Sequence, residues 1–407
     1  MGSKWDLIVI GAGASGLACA IAAAACGERV LLLEAQEQMG KKILASGNGR
    51  CNILNSGEPR YYGNPDFAKA VLDRMGLVRI SAFLHRYGLF LSEENQRLYP
   101  CTFQSKTVMM MFRKALEIEG VTVHCSESVL SVRKRQEGFE IRTTKTAYQA
   151  ERAVLAAGGM AGAALGGTFD GYRLARELGF QVTPIKPALS PLLTDSRSVS
   201  GLSGIRARCR VTLFHENRKL HEEEGEVLFS ENGVSGICAM QMARFLEGPD
   251  DRLDIHFLHR FFSTMNEAET EMAERKWFFA SQPPEYLLAG LVNSKIAYAI
   301  CKQAGLAMKG EPIQALTGEQ IRKVFYTAMH YQVHIRGTRG FENAQVTAGG
   351  VEPDAFSPDN LESLRIRGFH MTGELLDVDG DCGGFNLMFA LATGLLAGLN
   401  GRSSHWG

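Results

Sequence analysis

The 407-residue sequence lacks the marks of several large protein classes. It has no excess charge: 44 Lys and Arg stand against 44 Asp and Glu, so no polyanion partner and no acidic tail is indicated. Its nine cysteines are an odd number without a C-x-x-C pair, which argues against a disulfide framework or a zinc ribbon. Free thiols in a chain of this size fit a reducing cytoplasm. His330 and His334 stand four apart, but no Glu follows His330, so the H-E-x-x-H zinc pattern is missing and no metal is expected. Their spacing can put two imidazoles on one helix face, and paired surface or domain-interface histidines are expected instead. Internal repeats and low-complexity tracts are absent. Leu7 to Gly27 carries no charge, yet its glycines argue against a continuous helix and only one lysine precedes it. A membrane span and a signal peptide are therefore both rejected, and a cytoplasmic chain of two or three domains is expected.

What is present starts at the N-terminus. Leu7-Ile8-Val9-Ile10 is an apolar, β-branched run suited to a buried parallel strand. Gly11-Ala12-Gly13-Ala14-Ser15-Gly16 follows, then helix-compatible Leu17 to Cys26 and a stop at Gly27. A second buried strand runs from Val30 to Leu33, and Glu34 ends it. This is G-x-G-x-x-G between a strand and a helix, with a carboxylate about twenty residues on. Gly11 permits the tight turn, Gly13 lets a pyrophosphate approach the backbone, and Gly16 lets helix and strand pack closely. The pyrophosphate would sit on the helix N-terminus, and Glu34 would accept the hydroxyls of an adenosine ribose.

Beyond Glu34, Gly40-Lys41-Lys42 and Ala45 to Asn52 read as a loop along the cofactor, with Lys41 and Lys42 near its phosphates or ribose. A solvated turn is the alternative. Asp66 to Tyr87, Lys106 to Ile118 and Gly171 to Leu178 carry helical spacing. Val121 to Val123, Val129 to Val132 and Phe139 to Arg142 read as short strands, and Ala153 to Gly159 as a buried strand ending in glycines. Pro184, Pro187 and Pro191 mark a linker. Arg206 to Phe214 alternates in the manner of a strand, and Glu226 to Phe229 resembles another. Ser235 to Leu246, much of Asp254 to Met308, and Gly318 to Tyr331 read as helical. The expected domains are 1–193, an insert at 194–339 with β structure before α, and a return at 340–407 ending in an apolar helix from Phe385 to about Leu399.

That last helix opens a second constellation. Gly383 and Gly384 run straight into it, so another helix N-terminus faces a cavity. Its dipole would stabilise the negative charge of a reduced isoalloxazine around N1 and O2, which a simple nicotinamide dehydrogenase does not need. FAD is therefore favoured over NAD, held non-covalently. A Gly-rich turn and a buried helix is the alternative.

Four motifs in order carry a family resemblance: Ser46-Gly47-Asn48-Gly49-Arg50-Cys51-Asn52, Phe229 to Gly236, Ala344 to Val351, and Gly373-Glu374 with Gly383-Gly384-Phe385-Asn386. Together they resemble the HI0933-like flavoproteins, also called the BaiN or YhiN family, over essentially the whole chain. The resemblance implies an α/β fold, a glutathione-reductase-like Rossmann FAD domain with an inserted β-barrel-like plus helical domain. It implies FAD contacts at Ala14, Ser15, Glu34, Ala35, Lys41, Lys42, Ser46, the backbone of Val129, Glu374, Asn386 and Leu387. It further implies an oxidoreductase, either an ene-reductase acting on enones of the 3-oxo bile acid or steroid type, or an oxidase of a small amine such as aminoacetone. Tyr99-Pro100-Cys101 departs from the family pattern, in which a non-cysteine follows the proline.

Tyr331 and Tyr99 are candidate proton donors. Arg173, Lys186, Arg336 and Arg339 are candidates to steady a substrate, with solvated charges as the default, and Cys382 is a weak redox candidate without a partner thiol. NAD(P)H is carried as a transient electron donor. An RNA-binding flavoprotein is a third class, against which stand the balanced charge and the lack of an extended Lys/Arg stripe with interleaved aromatics. A small-molecule substrate, without nucleic acid or membrane, is expected in a pocket between the FAD domain and the insert, near Ser46 to Asn52, Tyr99 and Tyr331 to Arg339.

Overall fold

The computed structural model describes residues 4–306 and 310–403. The chain forms two units, one from the residues up to Lys186 together with those from Gln345, the other from Pro187–Ala344.

The first unit is built on a seven-stranded sheet. Strand β1 (Trp5–Ile10) lies parallel between β2 (Val30–Leu33) and the Ala147–Leu155 strand, and Thr122–His124 continues the sheet beyond β2. Leu7 to Ile10 and all of β2 are buried, as a parallel sheet covered on both faces requires. The Ala147–Leu155 strand has two halves with different partners. Ala147 to Ala150, exposed at Ala147 and Gln149, pairs antiparallel with Phe139–Thr143 in a meander that includes Val129–Lys134. Ala153 to Leu155, fully buried, pairs in parallel with Phe369–Met371.

Helix α1 (Ala14–Ala25) packs on the Phe385–Leu399 helix, both almost wholly apolar. Glycine makes the contact close. A Cβ on Gly394 would stand 2.1 Å from the Ser15 carbonyl oxygen, and one on Gly398 would stand 2.5 Å from that of Cys19. The same device closes the motif, where a Cβ on Gly16 would fall 1.8 Å from the Gly11 carbonyl oxygen.

The second unit is a closed six-stranded barrel in the order Leu192–Thr194, Gly233–Ser235, Arg218–Ser230, Arg206–His215, Asp251–His256 and Tyr331–Thr338. Cys209, Val211 and Leu213 alternate inward and meet Val227, Leu253, Ile255 and Val333 in its core. Three helices, Glu269–Phe278, Ser294–Gln303 and Gly318–Met329, fill the connection before the last strand. The third carries a reciprocal Thr317–Gln320 capping box.

This is the expected Rossmann architecture with an inserted barrel and helices, with several local corrections. The units divide at Lys186/Pro187 and Ala344/Gln345, not before 194 and after 339, because Leu192–Thr194 is a barrel strand and the Arg339 N–H donates to the Pro191 carbonyl. The Gly318 helix stops at Met329 and Tyr331 opens a strand, so β structure follows the helices as well as preceding them. His330 and His334 therefore share no helix face. Asp254 belongs to a strand, not a helix, and Met308 lies outside the described residues. Lys41–Ala45, expected as loop, forms a short helix, α2. Asp66 to Tyr87 is two helices, Pro65–Arg74 and Leu77–Arg86, separated at Met75-Gly76.

Candidate functional site

The glycine motif and Glu34 form one hydrogen-bonded object. The Gly11 N–H donates to the Leu33 carbonyl at 2.8 Å, tying the turn to the end of β2. Glu34 then accepts from the Ala12 N–H at 2.7 Å on one carboxylate oxygen and from the Gln36 N–H at 2.8 Å on the other. Each oxygen keeps a further lone pair, so the carboxylate is fixed in place and still able to accept a ligand hydroxyl. Ala35 sits between these anchors. The Glu34 N–H donates to the His124 carbonyl, and the Glu127 N–H donates to the Glu34 carbonyl, which carries the chain on to Val129 at the start of the meander. Gly13 begins α1 with no side-chain cap, and the space where its Cβ would be is open. The first N–H groups of the helix, at Ala14, Ser15 and Gly16, have no partner within the helix.

Glu374 is the second node. One oxygen pairs with the Lys42 ammonium at 3.0 Å, and the other accepts from the Thr347 N–H at 2.9 Å. The Thr347 hydroxyl accepts from the Ala161 N–H at 2.9 Å, so the Gly158-Gly159 turn, α2 and the C-terminal segment converge here. Burial first, then the neighbouring Glu374 carboxylate, pushes the Tyr172 phenol well above its usual range, so it stays protonated. Lys41 donates to the Gln36 side chain at 2.8 Å, and the Ser46 hydroxyl donates to the Ile43 carbonyl at 2.7 Å. The loop after Ser46 is tightly wound, with Asn48 at φ +54° and Cys51 at φ +56°.

The third node is the start of the Phe385–Leu399 helix, capped by Gly384 without a side-chain hydrogen bond. Asn386 holds the preceding turn. Its oxygen accepts from the Gly380 N–H at 2.8 Å and its nitrogen donates to the Gly380 carbonyl at 2.9 Å. Leu387 lies one residue on, partly buried in the core. Asn55 donates to the Gly383 carbonyl at 2.6 Å. The Asn52 side-chain oxygen is buried and has no hydrogen-bond partner among the described residues, and a Cβ on Gly384 would stand 2.8 Å from it. Two uncapped helix N-termini, a held carboxylate and an orphaned acceptor fit a dinucleotide that brings anions, hydroxyls and N–H donors.

The catalytic candidates fare differently. Tyr331 is buried in the second unit, and its hydroxyl donates to the Ser198 carbonyl at 2.7 Å. Burial, and then Asp195, pushes that phenol up to about 12, so the expected proton donor is a structural tie. Tyr99 stands in the first unit with the Arg50 guanidinium 4.6 Å from its ring centre. Arg173 is held by Asp170 and Glu177 at the surface. Burial raises the Cys382 thiol above its usual range. Among the described residues no group of three or more His, Cys, Asp or Glu is placed to hold a metal ion. No helix among them is long and apolar enough to cross a membrane.

Sequence reasoning misses the ties that cross the chain: Thr347 and Tyr172 beside Glu374, and the orphaned oxygen of Asn52. Asn52 ends the Ser46 to Asn52 motif, which is a signal for it, whereas nothing local distinguishes Thr347.

Comparison with known proteins agrees with this arrangement. A family model described as "HI0933-like protein Rossmann domain" matches residues 5–400. A 3-dehydro-bile acid delta(4,6)-reductase from Clostridium scindens is 34% identical over 401 residues, covering 96% of this chain and 97% of that protein. A ribosomal RNA dihydrouridine synthase from Escherichia coli is 28% identical, covering 95% of each chain. Another from Haemophilus influenzae is 27% identical, covering 97% of each.

Proposed function

We propose, from the premise that this chain belongs to the HI0933-like family of FAD-dependent oxidoreductases, that it reduces a carbon–carbon double bond conjugated to a carbonyl in a small ketone of the 3-oxo bile acid or steroid type. The observation that carries the reading is the Clostridium scindens reductase, similar across nearly the whole of both chains. Bound FAD supplies the hydride through N5, and NAD(P)H is the proposed donor that restores it. The substrate takes that hydride at its β-carbon and a proton at its α-carbon.

The residues of this chain hold and orient. The first turn of α1 offers Ala14, Ser15 and Gly16 N–H groups to the pyrophosphate, and Glu34 accepts the ribose hydroxyls. Lys42, Glu374 and Ser46 line the turn where the middle of the cofactor would lie. The N-terminus of the Phe385–Leu399 helix would favour negative charge on the pyrimidine edge of the ring, and the unpartnered Asn52 oxygen would accept from a ring N–H. With Tyr331 committed to Ser198, Tyr99 is the proposed source of the proton.

A second reading is favoured by the two ribosomal RNA dihydrouridine synthases. The C5–C6 double bond of uracil is likewise conjugated to a carbonyl, so the same two-electron step would act on a base within RNA.

The test is anaerobic. Reduced holoenzyme is mixed with a 3-oxo-4-ene steroid or with a uridine-containing RNA while the flavin absorbance is followed, and air is then admitted. Reoxidation by the steroid and not by the RNA is the expected result. Reoxidation by RNA alone moves the substrate to the second reading. Peroxide on admission of air, with no response to either acceptor, contradicts both and favours an oxidase.

A further inference from the structure

Three segments of the first unit meet around one guanidinium. Arg50 lies in the Ser46 to Asn52 loop, with its guanidinium carbon 4.6 Å from the ring centre of Tyr99 and 4.6 Å from that of Phe103. The two rings are 5.4 Å apart and tilted by 40°, so one cation caps a pair of aromatic faces. Arg50 also pairs with Glu94 at 2.7 Å, and the Leu91–Glu94 strand is hydrogen-bonded to the Arg97–Pro100 strand that carries Tyr99. The Ile53 N–H donates to the Leu98 carbonyl at 2.9 Å, so Asn52 and Tyr99 each stand one residue from that bond.

An exposed Arg–Glu pair contributes little by itself, and this one is half-exposed at both ends. The backbone around it says more. Asn48 and Cys51, on either side of Arg50, hold left-handed conformations at φ +54° and +56°, and Phe103 does so at φ +51°. For a bulky aromatic residue that conformation is costly; such strain persists where the surroundings over-determine it, and it clusters at working sites. The Tyr99 ring is buried, yet its hydroxyl makes no hydrogen bond among the described residues. Tyr61, Tyr62, Tyr87 and Tyr331, by contrast, each donate to a carbonyl or carboxylate oxygen. A clamped ring with an uncommitted hydroxyl is what a proton donor needs.

We infer that Arg50 is a positioning residue for Tyr99, stacking on its ring so that the hydroxyl keeps one orientation toward the α-carbon of the substrate. The inference rests on Tyr99 as the proton source in the proposed function. In that step the phenolic O–H bond breaks, a C–H bond forms at the α-carbon, and solvent returns a proton to the phenolate. Arg50 itself exchanges no proton, because a guanidinium stays charged at any working pH. Lysine keeps the charge but lacks the planar face, so it should replace arginine only in part.

Two readouts separate placement from chemistry. Holoenzyme carrying meta-fluorotyrosine in place of Tyr99 should give one narrow fluorine NMR line, which Arg50→Gln broadens or splits because the ring gains orientations. The rate is that of anaerobic single-turnover reoxidation of the reduced holoenzyme, by whichever of the steroid and the RNA oxidises the parent. Tyr99→Phe should slow it about 100-fold. Arg50→Gln should slow it about 10-fold or more, and Arg50→Lys less. Added to Tyr99→Phe, Arg50→Gln should cost less than about 2-fold, because both act through one hydroxyl. Flavin content and melting temperature equal to the parent's establish that the variants fold. An unchanged fluorine line or a parent-like rate in Arg50→Gln, or its full loss repeated on top of Tyr99→Phe, would each overturn the inference and leave Tyr99 as the proton source. A parent-like rate in Tyr99→Phe would remove the proton source and this inference with it. A parent that neither acceptor oxidises overturns the reductase reading, and the fluorine line still decides whether Arg50 places the ring.

Discussion

At the residue scale, the Glu34 carboxylate pins the glycine turn, and the proposed function gives its remaining lone pairs to the ribose. Glu34→Ala should weaken FAD binding by roughly 30- to 150-fold, from loss of about 2–3 kcal/mol of charge-assisted hydrogen bonding, with the fold retained. Equilibrium titration of apoprotein with FAD reads this, and an unchanged affinity would remove Glu34 from the site. His370 bears on pH. It is fully buried on the Phe369–Met371 strand, with one ring nitrogen 3.0 Å from the Asn360 carbonyl and the other 3.3 Å from the Arg152 guanidinium. Burial first, and then Arg152, lowers its pKa to about 4. A depressed histidine stabilises fully above its unfolded value, ~6.5, and loses that contribution as pH falls through the folded one. The loss should be on the order of 3 kcal/mol in full. Urea unfolding at about pH 7 and about pH 4.5 should show a smaller drop for His370→Gln than for the parent; equal drops would contradict a buried neutral imidazole.

At the element scale, α1 and the Phe385–Leu399 helix, the two proposed to aim N-termini at the cofactor, are held together through glycine. Gly394→Ala places a methyl 2.1 Å from the Ser15 carbonyl oxygen, in the first turn of α1. The helices must separate, at a cost of about 1–3 kcal/mol, and FAD affinity should fall with stability. A melting temperature and FAD affinity equal to the parent's would mean that the backbones do not meet there. Elements are legible in the sequence where their signals are local. The Phe385–Leu399 helix is legible because Gly383-Gly384 precede an uncharged run rich in Ala, Gly and Leu, and Asn400-Gly401 follow it. The strand at Tyr331 is hidden because Tyr331 continues the apolar spacing of the preceding helix; what ends the helix is barrel pairing with Asp251–His256, which is non-local. Lys41–Ala45 reads as loop because five residues between glycine-rich turns carry too little periodicity to register as a helix. The Lys42–Glu374 ion pair joins opposite ends of the chain, and no spacing rule reaches that far.

At the scale of the whole molecule, a Rossmann domain interrupted by a barrel and helices gathers the residues proposed to hold the cofactor from both ends of the chain. Gly11, Glu34 and Lys42 come from the start, Thr347, Glu374 and Gly384 from the end. Local motifs expose the two helix N-termini, and the family resemblance implies Lys42 and Glu374, which the fold brings into one ion pair. All of these functional claims hang on the flavin. The most direct measurement is the absorbance spectrum of the purified chain after incubation with FAD and removal of the excess. Bound flavin should give its band near ~450 nm, released intact on denaturation because it is not covalently held. A spectrum without that band, from protein shown to be folded, would contradict the account at its centre.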